Sequence, residues 1–305
     1  MKLIFMGTPE FAKIILAALL EHYEVILVVT KADSHFDRSK NVVFSPIKKL
    51  ALEKKIPIFQ PLKIKEEFRY ITDLKPDLVI TAAYGQIIPK KMLDLVPCIN
   101  VHGSLLPKYR GGAPIQYSLF NNDQKTGVTL MEMSLKMDAG NIIDTASIDI
   151  DVSDNYESLS QKLAHLGSKL LLKNIDAILA GSYFVTPQNE NLVTYAYNIK
   201  PTDEILYFNE SAISLFGKIR GLSPKPGAYF IFNHKKFKIL KAWAESNTLN
   251  LNQGEICITN SAMMIGCKVG VLNVLEIQPE GKKCQAIKPF LNGQKYFING
   301  QNLLN

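Results

Sequence analysis

Short apolar runs alternate with helix-forming segments along the first half of the chain, and no other pattern limits the architecture as much. The runs lie at residues 2–6, 23–30 and 77–84, and continuous apolar runs of this length are typical of strands buried on both faces of a parallel sheet. Helices are predicted at residues 9–22, 46–55, 65–74, 90–95, 114–121, 156–180 and 211–220. The alternation predicts an α/β fold with a Rossmann-like, mostly parallel sheet. A dinucleotide cofactor is not indicated, because no Gly-x-Gly-x-x-Gly sequence follows the first run.

The rear of the chain has a different pattern. Residues 185–207 show no strong periodicity, and behind them six short strand-like runs are separated by turn residues. The runs lie at residues 228–233, 236–243, 254–260, 262–267, 270–278 and 295–298. Short strands at this spacing predict a small β-barrel. We therefore expect a first domain over residues 1–188, a linker over 189–207 and a second domain over 208–305.

The charge of the chain is concentrated in the second predicted domain. Residues 206–305 hold 12 Lys and Arg against 5 Asp and Glu, whereas the rest of the chain holds 23 of each, so the whole net charge of +7 lies in the rear part. A basic domain behind a neutral one favours contact with a polyanion. The alternative is a basic surface that only keeps the protein in solution.

The cysteines and the hydropathy limit the possible location and cofactors. Cys98, Cys257, Cys267 and Cys284 form no Cys-x-x-Cys pair and show no metal-ligand spacing, so we expect reduced thiols and no bound metal. Gly7-Thr8-Pro9-Glu10 interrupts the N-terminal apolar segment, which argues against a signal peptide. No apolar run reaches the roughly 18 residues of a membrane span. We expect a cytoplasmic monomer without a membrane partner.

Two polar side chains, those of Asn100 and His102, lie where a buried strand is predicted to end. Side chains two residues apart in a strand point to the same face, so an amide and an imidazole are presented together. Open α/β sheets bind their ligands at such strand ends. Asp138, in the loop after the next strand-like run, is the candidate for an acidic third member. The alternative is structural: Asn100 and His102 would cap backbone groups, and Asp138 would be a turn residue.

The sequence around these residues resembles a known family. Asn100-Val101-His102-Gly103-Ser104-Leu105-Leu106-Pro107, Arg110-Gly111-Gly112-Ala113-Pro114 and the later Asp138 are similar to the folate-dependent formyltransferases. Met6-Gly7-Thr8-Pro9-Glu10-Phe11 and Arg220-Gly221-Leu222-Ser223-Pro224 narrow the resemblance to the methionyl-tRNA formyltransferases. The resemblance covers nearly the whole chain.

The resemblance implies a Rossmann-like catalytic domain of the formyltransferase fold, followed by a C-terminal OB-like β-barrel that binds tRNA. It also implies transfer of a formyl group from 10-formyltetrahydrofolate to the methionine of initiator Met-tRNA. Asn100, His102 and Asp138 would be the catalytic residues. Asn100 would donate to the oxyanion, and His102 would share that stabilisation or move the proton from the amine to the folate nitrogen. Asp138 would orient or polarise His102, or relay the proton through a water. Ser104, Leu105, Leu106 and Pro107 would line the folate site.

In this family the loop corresponding to residues 31–44 carries a basic residue that reaches the tRNA acceptor end. Matched spacing places Arg38 at that position, with Lys40 close behind. The glycines and prolines usual in this loop are replaced here by Ala32-Asp33-Ser34-His35-Phe36-Asp37-Arg38-Ser39. We expect Arg38 and Lys40 to contact tRNA.

Three other functions share part of this pattern. A formyltransferase that acts on a small amine, such as a sugar nucleotide or glycinamide ribonucleotide, would keep Asn100, His102 and Asp138 but would not need a basic second domain. A 10-formyltetrahydrofolate hydrolase would keep the same three residues and release formate. A nucleic-acid-binding module with an inactive first domain would not need them, so their presence argues against it.

Overall fold

The computed structural model describes residues 1–34 and 41–304. The chain folds into two compact units. The first comprises Met1–Pro114, Lys125–Asp149 and Ser160–Tyr197, and the second comprises Ile115–Gln124, Ile150–Leu159 and Asn198–Asn305. Each unit therefore takes in segments that are distant in sequence. Among the described residues, no helix has both the length and the apolar character needed to cross a membrane.

The first unit is built on a seven-stranded sheet with the strand order β3-β2-β1-β4-β5-β6-β7. The strands are β1 (Leu3–Gly7), β2 (Val25–Val29), β3 (Ile58–Phe59), β4 (Leu78–Ala82), β5 (Cys98–His102), β6 (Lys125–Glu132) and β7 (Ile142–Asp149). The first five strands are parallel, and β6 and β7 are antiparallel to their neighbours. β1 and β4 are buried along their whole length, as expected for strands covered on both faces. The predicted mostly parallel sheet is confirmed.

The strand order creates a crevice at one edge of this sheet. β1 pairs with β2 on one side and with β4 on the other, so the chain changes direction around β1. Ligands of open α/β sheets bind outside the carboxyl ends of the strands at such a switch point. β5 lies next to β4 and ends at His102 on the same edge. The sheet thus brings the predicted catalytic strand to the position where a ligand is expected.

The helices follow the predicted positions with one difference. They are α1 (Glu10–Leu19), α2 (Pro46–Glu53), α3 (Ile64–Glu67), α4 (Arg69–Thr72), α5 (Lys90–Leu93), α6 (Pro114–Phe120) and α7 (Tyr156–Leu179). Ser45 caps α2 by accepting a hydrogen bond from the Lys48 amide, and Pro46 occupies the first helical position. The single helix predicted over 65–74 is wrong. Phe68 separates two short helices there, and its ψ of −22° is typical of the tighter 3₁₀ turn.

The second unit is built on a curled antiparallel sheet of six strands, which fits an OB-like domain and confirms the predicted fold class. Its elements are α8 (Ala212–Leu222), β8 (Tyr229–Phe232), β9 (Lys235–Glu245), β10 (Ile256–Ile258), β11 (Met263–Gly266), β12 (Val271–Pro279), β13 (Gln285–Ala286) and α9 (Ile287–Gly293). The rings of Phe230 and Phe297 lie 5.5 and 4.8 Å from that of Phe237, centroid to centroid, at the centre of the apolar core.

The last strand expected from the sequence, over residues 295–298, is wrong. The Gln294 side-chain oxygen accepts hydrogen bonds from the amides of Tyr296 and Phe297, at 2.6 and 2.8 Å, and these amides therefore do not pair with a neighbouring strand. Instead β13 and α9 precede this turn. Pro289 is compatible with α9 because it lies in the first turn, where an amide has no intrahelical partner.

Candidate active site

β5 positions Asn100 and His102 on one face of the sheet, as the alternation of a strand requires. His102 is buried, and its Nε2 lies 3.0 Å from the main-chain oxygen of Tyr109. Because a carbonyl oxygen only accepts, Nε2 must carry the hydrogen in this contact. Nδ1 faces the carboxylate of Asp138, with 3.8 Å between Nδ1 and Oδ1. The structure therefore brings His102 and Asp138 together.

Asp138 lies in the turn between β6 and β7 with a φ of 51°, in the left-handed region that Asp tolerates better than most residues. Its second carboxylate oxygen, Oδ2, accepts a hydrogen bond of 2.8 Å from the amide of Gly111. One oxygen is thus held by the main chain and the other faces the imidazole. This division of roles suits a carboxylate that orients a histidine.

The Asn100 amide has a defined orientation. Its Oδ1 lies 2.9 Å from the hydroxyl of Thr81, which is buried on β4 directly beside Asn100 in the strand register. The single hydrogen of this hydroxyl is shared between Asn100 Oδ1 and the main-chain oxygen of Ile99, which lies 3.1 Å away. Because the oxygen and nitrogen of an amide point apart, the two N–H donors of Asn100 are directed away from Thr81. Thr81 has no local signal in the sequence, since only the pairing of β4 with β5 brings it beside Asn100.

The four residues predicted to line the folate site form a buried loop after β5. Ser104 donates from its hydroxyl to the Lys108 carbonyl at 2.6 Å, and its own carbonyl accepts from the Thr129 hydroxyl at 2.7 Å. The amide of Leu106 donates to the same Thr129 hydroxyl at 3.0 Å, and Pro107 is half-buried. The Leu105 side chain packs directly against Gly127, so close that a Cβ atom at position 127 would lie 2.5 Å from it. These contacts fix the shape of the loop, and its role toward folate stays a prediction.

The two residues predicted to contact tRNA, Arg38 and Lys40, lie outside the described residues.

A cavity of about 520 Å³ lies beside the loop that follows β4. It is lined by Lys63, Ile64, Lys65, Glu66, Gln86, Ile87, Ile88, Pro89, Lys90 and Leu135. Gln86 shapes one wall, because its amide accepts from the main chain of Ile64 and donates to that of Pro61, at 2.9 and 3.2 Å. Leu135, in this lining, precedes Asp138 by three residues in the sequence. No local pattern in the sequence indicates this cavity, because its lining comes from three separate segments.

Cys98 points to the same face of β5 as Asn100 and is the cysteine nearest to the candidate catalytic residues in the sequence. Its thiol is buried and donates to the Val96 carbonyl at 3.3 Å. Burial raises the pKa of the Cys98 thiol to about 12, so it stays protonated at neutral pH. Because the thiolate is the reactive form, Cys98 does not suit covalent catalysis.

Among residues 1–34 and 41–304, no group of three or more His, Cys, Asp or Glu side chains is arranged to hold a metal ion.

Comparison with known proteins identifies the family. The family model for formyl transferase matches residues 1–175, and that for the formyl transferase C-terminal domain matches residues 198–295. A protein from Lactobacillus acidophilus named methionyl-tRNA formyltransferase is 43% identical over 309 residues, covering 99% of this chain and 98% of its own. One of the same name from Dictyoglomus turgidum is 41% identical over 307 residues, covering 98% of each chain.

Solved structures share the fold at lower identity. An N-formyltransferase from Helicobacter canadensis, in complex with folinic acid and dTDP-3-aminofucose, aligns with a TM-score of 0.67 at 21% identity, covering 90% of this chain and 98% of its own. HypX from Aquifex aeolicus, in complex with tetrahydrofolic acid, aligns with a TM-score of 0.63 at 15% identity, covering 96% of this chain and 47% of its own. These alignments show the shared fold. The two family models and the relatives above 40% identity confirm the resemblance found in the sequence: the chain belongs to the formyl transferase family and is a group-transfer enzyme.

Proposed function

We propose that this protein transfers a formyl group from 10-formyltetrahydrofolate to the α-amino group of methionine on initiator Met-tRNA. The observation that carries the proposal is the convergence of an oriented amide, an imidazole and a carboxylate at one edge of the sheet. It is supported by relatives of that name that span the whole chain. Residues 1–188 would carry the chemistry, 189–207 would be a linker, and 208–305 would bind tRNA. The enzyme would act as a cytoplasmic monomer.

Asn100 would stabilise the charge that develops during transfer. The methionine nitrogen forms a bond to the formyl carbon, and the carbonyl oxygen of the formyl group becomes an oxyanion. The two amide donors of Asn100, which Thr81 directs away from itself, would bind that oxygen. Removing one such preorganised donor typically costs about 3–4 kcal/mol of transition-state stabilisation. The oxyanion then collapses, and the bond between the formyl carbon and the folate nitrogen breaks.

His102 and Asp138 would handle the proton that the amine loses. Nε2 of His102 is committed to the Tyr109 carbonyl, so Nδ1 is the nitrogen able to accept a proton. A proton arriving at Nδ1 would lie beside Oδ1 of Asp138, which would stabilise the resulting imidazolium. The same proton can then pass to the departing folate nitrogen. Bond making, bond breaking and proton transfer balance without a covalent enzyme intermediate.

The family uses a formyl-folate, and we assign the folate to the cavity lined by Gln86, Pro89 and Leu135, among others. Its volume falls within the range of roughly 300–1,000 Å³ that small-molecule sites occupy. The lining includes residues that follow β4, the strand beside β5, and Leu135, which precedes Asp138 by three residues. The loop Ser104–Pro107 would support the folate from the end of β5.

For the tRNA we propose contacts from the basic segment 206–305 of the second unit and from the loop that carries Arg38 and Lys40. In the second unit, Lys236 and Lys238 are two residues apart on β9 and therefore lie on one face of that strand. Lys238 donates to the Pro226 carbonyl at 2.6 Å, which places the exposed Lys225 nearby. These three lysines suit a phosphate backbone, which attracts Lys and Arg without reading the bases.

The experiment that tests this proposal compares acceptors. Purified protein is supplied with labelled 10-formyltetrahydrofolate and either Met-charged initiator tRNA, an amino-sugar nucleotide, or no acceptor. We expect the label in formylmethionyl-tRNA and almost none elsewhere. Label in the amino-sugar nucleotide alone would mean that the acceptor is a small amine and not the tRNA. Formate release without an acceptor, and no transfer, would make the enzyme a hydrolase.

A further inference from the structure

The turn that carries Asp138 is held by a side chain 50 residues later in the sequence. Nε2 of Gln188 donates to the Asp138 carbonyl at 2.9 Å and to the Gly140 carbonyl at 2.8 Å. One amide group therefore holds both ends of the three-residue turn Asp138-Ala139-Gly140. With the Gly111 amide on the carboxylate, it fixes both the main chain and the side chain of Asp138.

Arg110 determines which way the Gln188 amide points. Oε1 of Gln188 accepts from both Nε and Nη2 of Arg110, at 3.0 and 2.8 Å. A guanidinium only donates, so it admits the oxygen of the amide and not the nitrogen. The two Gln188 donors must consequently face the turn. This orientation follows from the chemistry of the neighbours, because the two carbonyls on the other side only accept.

Arg110 is itself tightly held. Its side chain is 0% exposed, and Nη2 also donates to Oε1 of Glu190 at 2.7 Å, while the other Glu190 oxygen accepts from Lys136 at 2.7 Å. Among the described residues, Nη1 of Arg110 has no hydrogen-bond partner, so Gln188 and Glu190 are the side chains that hold the guanidinium. The Arg110 main chain pairs with Thr194 on the same segment, through a 2.9 Å bond from its amide. These contacts hold the Arg110 guanidinium in one position, and through Gln188 it fixes the position of the turn.

We propose that Gln188, oriented by Arg110, is a positioning residue for formyl transfer: it holds the Asp138 carboxylate at the distance from His102 that the reaction requires. This inference rests on the proposed function, because it assigns Asp138 a part in that reaction. It goes beyond it by naming two residues that act through Asp138 and touch neither substrate.

The decisive variant is Gln188→Glu, which keeps the size of the side chain and leaves an acceptor for Arg110. It replaces the two donors by a carboxylate oxygen that faces two carbonyl oxygens. The turn therefore loses both hydrogen bonds from residue 188. We expect kcat for formylation of Met-tRNA to fall by about 10- to 100-fold, the loss typical of misplaced catalytic groups. The KM values for folate and for tRNA should change by less than about two-fold, because the substitution removes no contact that binds either substrate in its ground state.

The matched control is Asn189→Asp, which adds the same charge at the next residue. Asn189 is exposed, and its Oδ1 accepts from the Asn191 amide, a contact that Asp keeps. We expect kcat and KM of this variant to equal those of the wild type. Gln188→Met adds no charge, so it tests whether the loss in Gln188→Glu comes from charge, and it should lower kcat in the same way. It also removes the oxygen that accepts from Arg110, so its stability is measured beside its activity. Thermal unfolding of each variant shows whether the protein is folded at the assay temperature.

A double-mutant cycle separates positioning from a merely structural role. Asp138→Asn keeps the shape of the side chain and tolerates the left-handed backbone, so it removes only the carboxylate charge. If Gln188 acts through Asp138, adding Gln188→Glu to Asp138→Asn should lower kcat by less than about two-fold more, because the two losses overlap. Fully multiplicative losses, or an unchanged kcat in Gln188→Glu, would overturn the inference. Wild-type enzyme that formylates no Met-tRNA would instead overturn the proposed function, and the two failures are thus distinguished.

Discussion

At the residue scale, the site depends on groups whose orientation is set by a neighbour. Asn100 is useful as an oxyanion donor only if its nitrogen faces the substrate, and the buried Thr81 hydroxyl imposes that by occupying the oxygen. His102 is oriented in a similar way by the Tyr109 carbonyl and the Asp138 carboxylate. A sequence can suggest the reacting residues, but their orienting partners come from other strands and loops.

The Thr81 contact gives the first prediction. Thr81→Val keeps the shape of the side chain and removes the hydroxyl, so the Asn100 amide loses its fixed orientation. We expect kcat to fall by about 10-fold, within the range of one oxyanion donor made less effective, with little change in the KM for folate. Thr81→Ser keeps the hydroxyl and should retain most of the activity. Equal rates for Thr81→Val and wild type would mean that Thr81 does not orient Asn100.

For Cys98 we predict that substitution leaves the activity nearly unchanged. Burial raises the pKa of its thiol to about 12, so almost no thiolate exists below pH 9. Iodoacetamide at pH 8 should therefore leave Cys98 unmodified in the folded protein and label it only after unfolding, as peptide mass mapping would show. Cys98→Ala should keep kcat within about two-fold of the wild type, because the thiol takes no part in the chemistry. A large loss of kcat in a folded Cys98→Ala protein would point to a covalent step.

At the element scale, the sheet and most helices could be predicted from the sequence, because apolar runs and helix caps are local signals. The C-terminal end of the chain could not be predicted in this way. The Gln294 side chain accepts hydrogen bonds from two amides that a strand would need, and α9 contains a proline in its first turn. The turn around Asp138 was located correctly, but its anchor, Gln188, is 50 residues away and has no local sequence signal. Contacts of this range depend on how the elements meet.

The loop after β5 gives a prediction about close backbone approach. Gly111 has a φ of 126°, and a Cβ atom there would overlap the Ala196 carbonyl oxygen, whereas Gly181, with a φ of 65°, has open space around it. Gly111→Ala should lower the free energy of unfolding by about 1–3 kcal/mol from backbone strain and move the amide away from Asp138. Gly181→Ala should cost about 1 kcal/mol or less, because it meets no neighbour. Equal costs in thermal and denaturant unfolding would contradict this difference.

At the scale of the whole molecule, the charge division between the two halves of the sequence corresponds to a division of labour in the proposed function. The first unit carries the candidate catalytic residues, whereas the excess positive charge lies in residues 206–305, which form most of the second unit. Not every basic residue of the second unit is available to a ligand: Arg220 is buried and donates to the main-chain oxygens of Asp151 and Asp154, at 2.8 and 2.7 Å. Charge counts from the sequence therefore overestimate the basic surface.

Salt dependence tests which lysines face the tRNA. Lys225→Gln and Lys236→Gln should each weaken tRNA binding and lower the slope of log K against log salt by about one, the value for one lost phosphate contact. Lys54→Gln is the control, because this exposed lysine of the first unit lies 3.8 Å from Glu53 and far in sequence from the basic unit. Substitutions are preferable to deletion of residues 208–305, since the second unit also contains Ile115–Gln124 and Ile150–Leu159. Unchanged slopes would mean that these lysines make no phosphate contact and only keep the protein in solution.

The most direct test of the proposed chemistry is the single-turnover rate of formyl transfer to initiator Met-tRNA by the wild type and by His102→Ala. We expect the variant to be slower by about 10²- to 10⁴-fold, the usual contribution of a positioned acid–base group, and to bind folate with nearly unchanged affinity. A variant that transfers formyl at close to the wild-type rate would remove His102 from the reaction and contradict the proposed role of the site.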